Sequence, residues 1–220
     1  MHIREMNFPL LVGPSQGTSP FRSGSGCQPG PGAYCVGADI AGSGLASKDL
    51  TQINFQGAVL VGSNIEYSSM QDANLIRAKL AASNLRYTCL VVVANLTSAS
   101  LVNSNLTGTI LVFAGIRNAK PDDTDLSEDT LKGSFLVNTS LVGARLRGAS
   151  LYGARLDFAN QAKANLTGAD LETARLQGAI LAYANLERVI FKSATLTGAN
   201  IKGANLAGTL VCSTIMPEVV

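Results

Sequence analysis

Ala164-Asn165-Leu166-Thr167-Gly168-Ala169-Asp170-Leu171-Glu172-Thr173-Ala174-Arg175-Leu176-Gln177-Gly178 carries one five-residue pattern three times over. Each unit holds a small residue, a polar one and a leucine, then two variable positions of which the second is often glycine. Neither the 3.6-residue period of an amphipathic helix nor the two-residue period of a half-buried strand accommodates this spacing. A period of five needs a chain that turns a corner in every unit. If each unit is a short extended piece and a turn, the leucine and the small residue two before it point to the same side, as i and i+2 do in a strand. Both then face inward, the polar residue between them faces water, and glycine occupies the turn position that tolerates unusual φ.

The pattern extends in both directions. From Ile40 to Leu90 an apolar residue falls at every fifth position, one extra residue enters within Val91-Val92-Val93, and the frame resumes at Leu96 and runs to Val211. That makes 35 units, 25 of them centred on Leu; only Pro121 and Gln161 depart from Leu, Ile, Met, Phe or Val at the centre. Ala occupies the preceding inward position 20 times, and 13 of the 22 glycines lie two residues after a centre, so the interior is built from two small, uniform side chains. The residue before the centre reads Asn64, Asn84, Asn105, Asp125, Arg145, Asn165, Asn185 and Asn205 at 20-residue steps once the insertion is allowed for. Tyr67 and Tyr87, and Arg155 and Arg175, share that spacing, which makes four units per coil the expected closure.

These residues resemble the pentapeptide-repeat family, whose signature Ala-(Asp/Asn)-Leu-x-x stands here as Ala73-Asn74-Leu75, Ala94-Asn95-Leu96, Ala164-Asn165-Leu166, Ala169-Asp170-Leu171, Ala184-Asn185-Leu186 and Ala204-Asn205-Leu206. The resemblance implies an all-β solenoid, a right-handed quadrilateral β-helix with four repeats per coil and about nine coils. At about 4.8 Å per coil the rod is roughly 40 Å long. The expected organisation is a Pro/Gly/Ser-rich leader over 1–37 that is partly ordered and covers the first coil, a repeat domain over 38–212 that is irregular near 91–95 and 117–134, and a tail over 213–220.

Composition narrows function. The chain has 220 residues, a single His at position 2, no Trp, and 17 basic against 15 acidic residues, so it lacks both a nucleic-acid footprint and the ligand or base clusters of most hydrolases and metalloenzymes. No catalytic, cofactor-binding or metal-ligating constellation is found, and no cofactor is expected. Phe8-Pro9-Leu10-Leu11-Val12 is too short for a secretory core or a membrane span, so no membrane partner is expected and a cytoplasmic location is the default, with thylakoid lumen or secretion as alternatives. Cys27 and Cys35 are read as free thiols, the alternative being a disulfide in an oxidising compartment.

Three features depart from a plain repeat. Asp122, Asp123, Asp125, Glu128 and Asp129 fall within eight residues with no compensating base beside them. They offer a patch to a cation or a basic partner, but an EF-hand would need Gly where Glu128 stands, and a solvated loop or irregular coil is the preferred reading. Gln161 is expected to turn outward or to bond to the backbone. Arg155 with Arg175 is a conceivable anion patch, though scattered solvated charge is preferred, and Tyr67 with Tyr87 marks either a partner surface or a cross-coil stack. Phe113, Phe158 and Tyr183, at the same repeat position, extend that candidate partner surface.

The family resemblance also implies a DNA-mimic binder of gyrase or topoisomerase as one possible function. Duplex DNA carries a charge per about 1.7 Å, so a 40 Å mimic needs on the order of 20 distributed negative charges. The repeat region holds 13 acidic against 15 basic residues, and only eight residues follow Cys212 where the gyrase binders have a dimerisation helix. The expected function is therefore a non-catalytic rod that presents side chains to an unidentified protein partner, as a monomer or a weak end-to-end oligomer.

Overall fold

The computed structural model describes residues 26–91 and 94–217. The expectations for residues 1–25 and 218–220 lie outside the described residues.

Parallel single-residue bridges run the length of the chain, from Tyr34 with Asn54 to Thr195 with Ile215. Bridged residues are 20 apart, except for the four pairs from Asn74 with Asn95 to Cys89 with Ile110, which are 21 apart and absorb the extra residue. The bridges therefore sort into four ladders. The first passes through Asn74, Asn95, Gly115, Phe135, Arg155 and Arg175, the second through Lys79, Ser100 and Lys120, the third through Asn84, Asn105, Asp125, Arg145 and Asn165, and the fourth through Cys89, Ile110, Thr130 and Ser150.

One unit shows how the sequence produces this. Leu166 N donates to Asn185 O at 2.8 Å and Asn165 N to Ala144 O at 2.9 Å, tying the unit to the coils on either side. Ala169 N donates back to Leu166 O at 2.8 Å, closing a turn whose third residue, Gly168, has φ +68°. A positive φ at that position is the type II requirement, and it explains the glycine. Asn165 Oδ1 accepts from Thr167 N at 3.1 Å, which is why Asn and Asp suit the position before the centre: the short side chain closes a local Asx turn. Leu166 and Ala164 have no exposed surface, and the same inward pair recurs through the core. Each such Leu contributes roughly 1.5–3 kcal/mol by burial.

The repeat extends past its expected limits. The turn pattern begins at Pro31-Gly32 and Cys35, at a centre position, is buried; at the other end Ile215 is still bridged. Cys27 and Cys35 are joined by a disulfide with Cα atoms 5.2 Å apart, correcting the free-thiol expectation: the first turn brings two cysteines eight residues apart into the ordinary range for a bridge. Cys89 and Cys212 are free, and burial pushes the Cys89 thiol up.

The segment 117–134, expected to be irregular, keeps the turns of the other coils and departs from them at Pro121. It follows the same turns, because the register comes from main-chain bonds that its carboxylates leave intact. One step is missing in the second ladder, between Lys120 and Ser140. Pro121 has no N–H to complete it, although Ser140 N still donates to Ala119 O at 3.0 Å. Pro121 is also smaller than Leu, and a narrow apolar void of about 10 Å³ runs beside it between the leucines of neighbouring coils.

Candidate functional site

The five carboxylates do not converge. Asp122 Oδ1 accepts from Ser140 Oγ at 2.5 Å and from Val142 N at 2.9 Å, and Asp123 folds over Gly143, leaving no room there for a Cβ. Asp125 meets Arg145 Nε at 3.2 Å, so the compensating base absent from the local sequence comes from the next coil. Burial would raise the Asp125 carboxyl, but hydrogen bonds from Ser127 and Arg145 outweigh it and hold it below the usual range. Glu128 is exposed. Asp129 sits at an inward position with 1% of its surface exposed; its Oδ1 accepts from Thr109 N at 2.8 Å and its Oδ2 has no partner. Burial pushes that carboxyl well above the ordinary value, and the nearby Asp125 charge adds to it. Among the described residues no three His, Cys, Asp or Glu side chains are grouped to hold a metal ion.

Gln161 is fully buried, and neither Oε1 nor Nε2 has a hydrogen-bond partner. That corrects both expectations for it: the centre position points inward whatever side chain it carries, and the neighbouring backbone groups are already used by the ladders.

The aromatic residues divide by ladder rather than gather. Tyr67 and Tyr87 stack with ring centroids 5.1 Å apart and an interplanar angle of 17°, and the Arg86 guanidinium lies 5.0 Å from the Tyr87 ring. Tyr67 and Tyr87 follow third-ladder centres, Phe113 a fourth-ladder, Phe158 a first-ladder and Tyr183 a second-ladder centre. They therefore do not form one surface. Apart from Tyr67, which lies over the Tyr87 ring, each covers a glycine: a Cβ at Gly178 would come within 2.7 Å of the Phe158 ring, one at Gly203 equally near Tyr183, and Gly108 and Gly133 are covered likewise by Tyr87 and Phe113. The signal for this was present in the sequence as an aromatic residue followed 20 or 21 positions later by Gly.

Arg155 and Arg175 are bridged neighbours on the first ladder, and both reach the same carboxylate. Asp157 Oδ2 lies 3.6 Å from Arg155 Nη2 and 3.6 Å from Arg175 Nε, and its side chain is only 6% exposed. The Arg155 ring-side neighbour is Phe135, with Arg155 6.0 Å and Arg117 5.0 Å from its ring centroid. Asp157 escaped sequence reasoning because the position after a centre is ordinarily outward; two long side chains cover it. Charge is unevenly shared among the ladders. Among the described residues, first-ladder units carry Arg77, Arg117, Arg155 and Arg175 against Asp157, while fourth-ladder units carry Lys48, Lys132 and Lys192 against Asp49, Asp72, Asp129, Asp170 and Glu172.

A family profile described as pentapeptide repeats, in eight copies, matches residues 60–91, 94–127, 124–168, 139–178 and 169–208. The chain is a pentapeptide-repeat protein. Among solved structures, this pentapeptide-repeat chain is similar to HetL from the cyanobacterium Nostoc sp. strain PCC 7120, a pentapeptide-repeat protein involved in heterocyst differentiation regulation. The identity is 32% over 84% of this chain and 85% of that one, with a TM-score of 0.40. A pentapeptide-repeat protein from the Arabidopsis thaliana thylakoid lumen is 36% identical over 39% of this chain and 59% of its own, with a TM-score of 0.38. The plasmid-mediated fluoroquinolone resistance protein QnrB1 is 14% identical over 78% of this chain and 90% of its own, with a TM-score of 0.45. No curated protein matches the chain. Among the described residues of this pentapeptide-repeat protein, no helix is long and apolar enough to cross a membrane.

Proposed function

We propose that this pentapeptide-repeat chain is a non-catalytic interaction scaffold, a right-handed quadrilateral rod of about nine coils whose outward side chains meet a protein partner. The observation that carries this reading is the contrast between a uniform Leu/Ala interior and outward ladders that differ from one another in charge and aromatic content. Backbone-bonded coils hold outward side chains at about 4.8 Å intervals, a spacing suited to recognition by an extended surface.

Residues 26–34, tethered through Cys27, act as an N-terminal cover of the rod, with Cys27 and Ala33 packed against the core. The Cys27–Cys35 disulfide favours an oxidising compartment, thylakoid lumen or exterior, over the cytoplasmic default. A thiol count under non-reducing conditions tests this, two reactive thiols being expected from Cys89 and Cys212 once the chain is denatured. The scaffold reading itself is tested by affinity capture with the full chain from its native host at mild salt, with the rod carrying a photo-crosslinker on the first ladder. Specific, saturable crosslinking to one protein is the expected result; crosslinks spread over abundant proteins in proportion to their concentration would overturn it.

A further inference from the structure

Gly115 interrupts the first ladder at a place where the fold does not ask for glycine. Its φ lies outside the left-handed region, and a Cβ there would meet Asn95 at 3.6–3.9 Å and the Ala94 carbonyl at 4.0 Å, ordinary contacts with ample room. Glycines at the turn positions are different: φ of +63° to +71° at Gly108, Gly133, Gly168 and Gly178 makes any side chain strained. Asn occupies the position of Gly115 at Asn54, Asn74 and Asn95 on the same ladder, where its Oδ1 closes the local turn, as in Asn95 with Thr97 N at 3.0 Å. Gly115 gives up that bond.

What the missing side chain leaves is an open notch of about 240 Å³ with Phe113 and Phe135 as aromatic walls and Asn95 and Arg117 at its rim. Arg117 lies over the Phe135 ring, is exposed, and has no ion-pair partner among the described residues. Beyond Phe135 come Arg155 and Arg175. Asp157 holds both guanidiniums from beneath by ionic contact alone, neither carboxylate oxygen being hydrogen-bonded, so one buried acid orients two arginines whose side chains are 41% and 54% exposed. An aromatic-walled notch is thus continuous with a strip of arginines bearing net positive charge.

We propose that the first-ladder surface from Gly115 to Arg175 docks an acidic segment of a partner protein, with one aromatic or aliphatic side chain of that segment in the Phe113/Phe135 notch and its carboxylates on Arg117, Arg155 and Arg175. This rests on the scaffold reading and assigns it a surface and a partner chemistry. Three coil steps span roughly 14 Å, which an extended peptide of about five residues covers at 3.3 Å per residue. Guanidinium groups suit carboxylates through planar, two-pronged hydrogen bonding, and Arg with an aromatic anchor is the composition that dominates protein interfaces. Nucleic acid is the less fitting occupant: its binding draws on many phosphate contacts, whereas this strip offers three arginines, two of them over a buried acid, and the fourth ladder is net negative.

The test uses the full chain and a fluorescein-labelled peptide, Ala-Phe-Glu-Asp-Glu-Asp-Glu, read by fluorescence anisotropy. Saturable binding that weakens steeply with added salt is expected. Gly115→Asn, which installs the residue of the preceding coils without backbone strain, fills the notch and weakens binding by roughly tenfold or more, as does Arg117→Glu. Unfolding midpoints of both variants stay within a degree or two of the parent, about the effect of an outward substitution. Absence of saturable binding overturns the proposal, and so does equal affinity of the Gly115→Asn chain, equal affinity for the peptide with Ala in place of Phe, or tighter binding of a single-stranded oligothymidine. Retention of a crosslinked host protein by both variants overturns this docking surface while leaving the scaffold reading standing.

Discussion

Between Ala164 and Ala199 the interior is a closed run of Leu and Ala with Val189 and Phe191, every one of them buried. Between Pro121 and Gln161 the same frame encloses a proline, a carboxylic acid, hydroxyls and a carboxamide. The two stretches have the same turns and nearly the same main-chain hydrogen bonds; only the Lys120 to Ser140 step differs. The coil is thus held in register by backbone groups common to all residues, while its local strength is set by what each unit places inside. Because a coil contacts only its neighbours, defects accumulate in one stretch without spoiling the register of the next.

The contrast is most severely tested by Leu166→Lys in the regular stretch. An unpaired charge in that interior is expected to cost on the order of 4 kcal/mol or more and to unfold adjacent coils. A thermal midpoint no lower than that of an outward variant would break the inside/outside assignment. Next in size, Gln161→Leu removes two buried groups that lack partners and restores the common centre residue, for an expected gain of roughly 2–4 kcal/mol. Chemical denaturation measures it, and a loss of stability would mean that the carboxamide is satisfied in solution.

Asp129→Ala follows, with an expected gain of about 1–3 kcal/mol at neutral pH, since Ala149 and Ala169 fill the equivalent inward place in later coils. The sign with pH follows from the raised folded-state value. The folded chain binds the Asp129 proton more tightly than the unfolded one, so its stabilising contribution is complete below about pH 4, the ordinary carboxyl range, and is lost as pH rises through the folded value. The gain from Asp129→Ala therefore appears above pH 4 and vanishes below it. Asp125 and Asp49 are held low, and their contributions run the opposite way, present above pH 4 and lost in acid. A gain independent of pH would show Asp129 to be charged in neither condition or paired in both.

Pro121→Leu restores one main-chain bond and fills the void beside it, for roughly 1–2 kcal/mol. The smallest effect is expected outside the regular stretch's core: Asn165→Ala loses the Asx bond to Thr167 and costs about 0.5–1 kcal/mol. Equal responses of Asn165 and Leu166 to substitution would erase the distinction on which the comparison depends.

How much was legible in the chain depends on whether a residue follows or breaks the repeat. The phase of Leu166, the turn at Gly168, the outward Asn165 and the 20-residue partnership of Tyr67 with Tyr87 are all consequences of periodicity, and periodicity is a linear property. Phe158 over Gly178 was also linear, an aromatic and a glycine 20 apart, but it becomes visible only once that step is known to mean contact. Asp157 was not legible, because its burial comes from Arg155 and Arg175 folding across it rather than from its repeat position. The same holds for Asp125, unpaired in its own segment and paired with Arg145 from the next coil, and for Asp122, which takes Ser140 and Val142.

A five-residue period with Leu and Ala at two fixed places leaves the backbone one way to bury both, and that alone determined the repeat, its inward and outward positions and its step of 20. Which ladder a side chain belongs to, which charges neutralise one another, and that Gly115 opens a notch beside arginines were decided by the tertiary structure. Residues 20 apart become neighbours only when the coil closes, and the energies of ion pairs, stacked rings and open surface depend on those neighbours and not on the order of the chain.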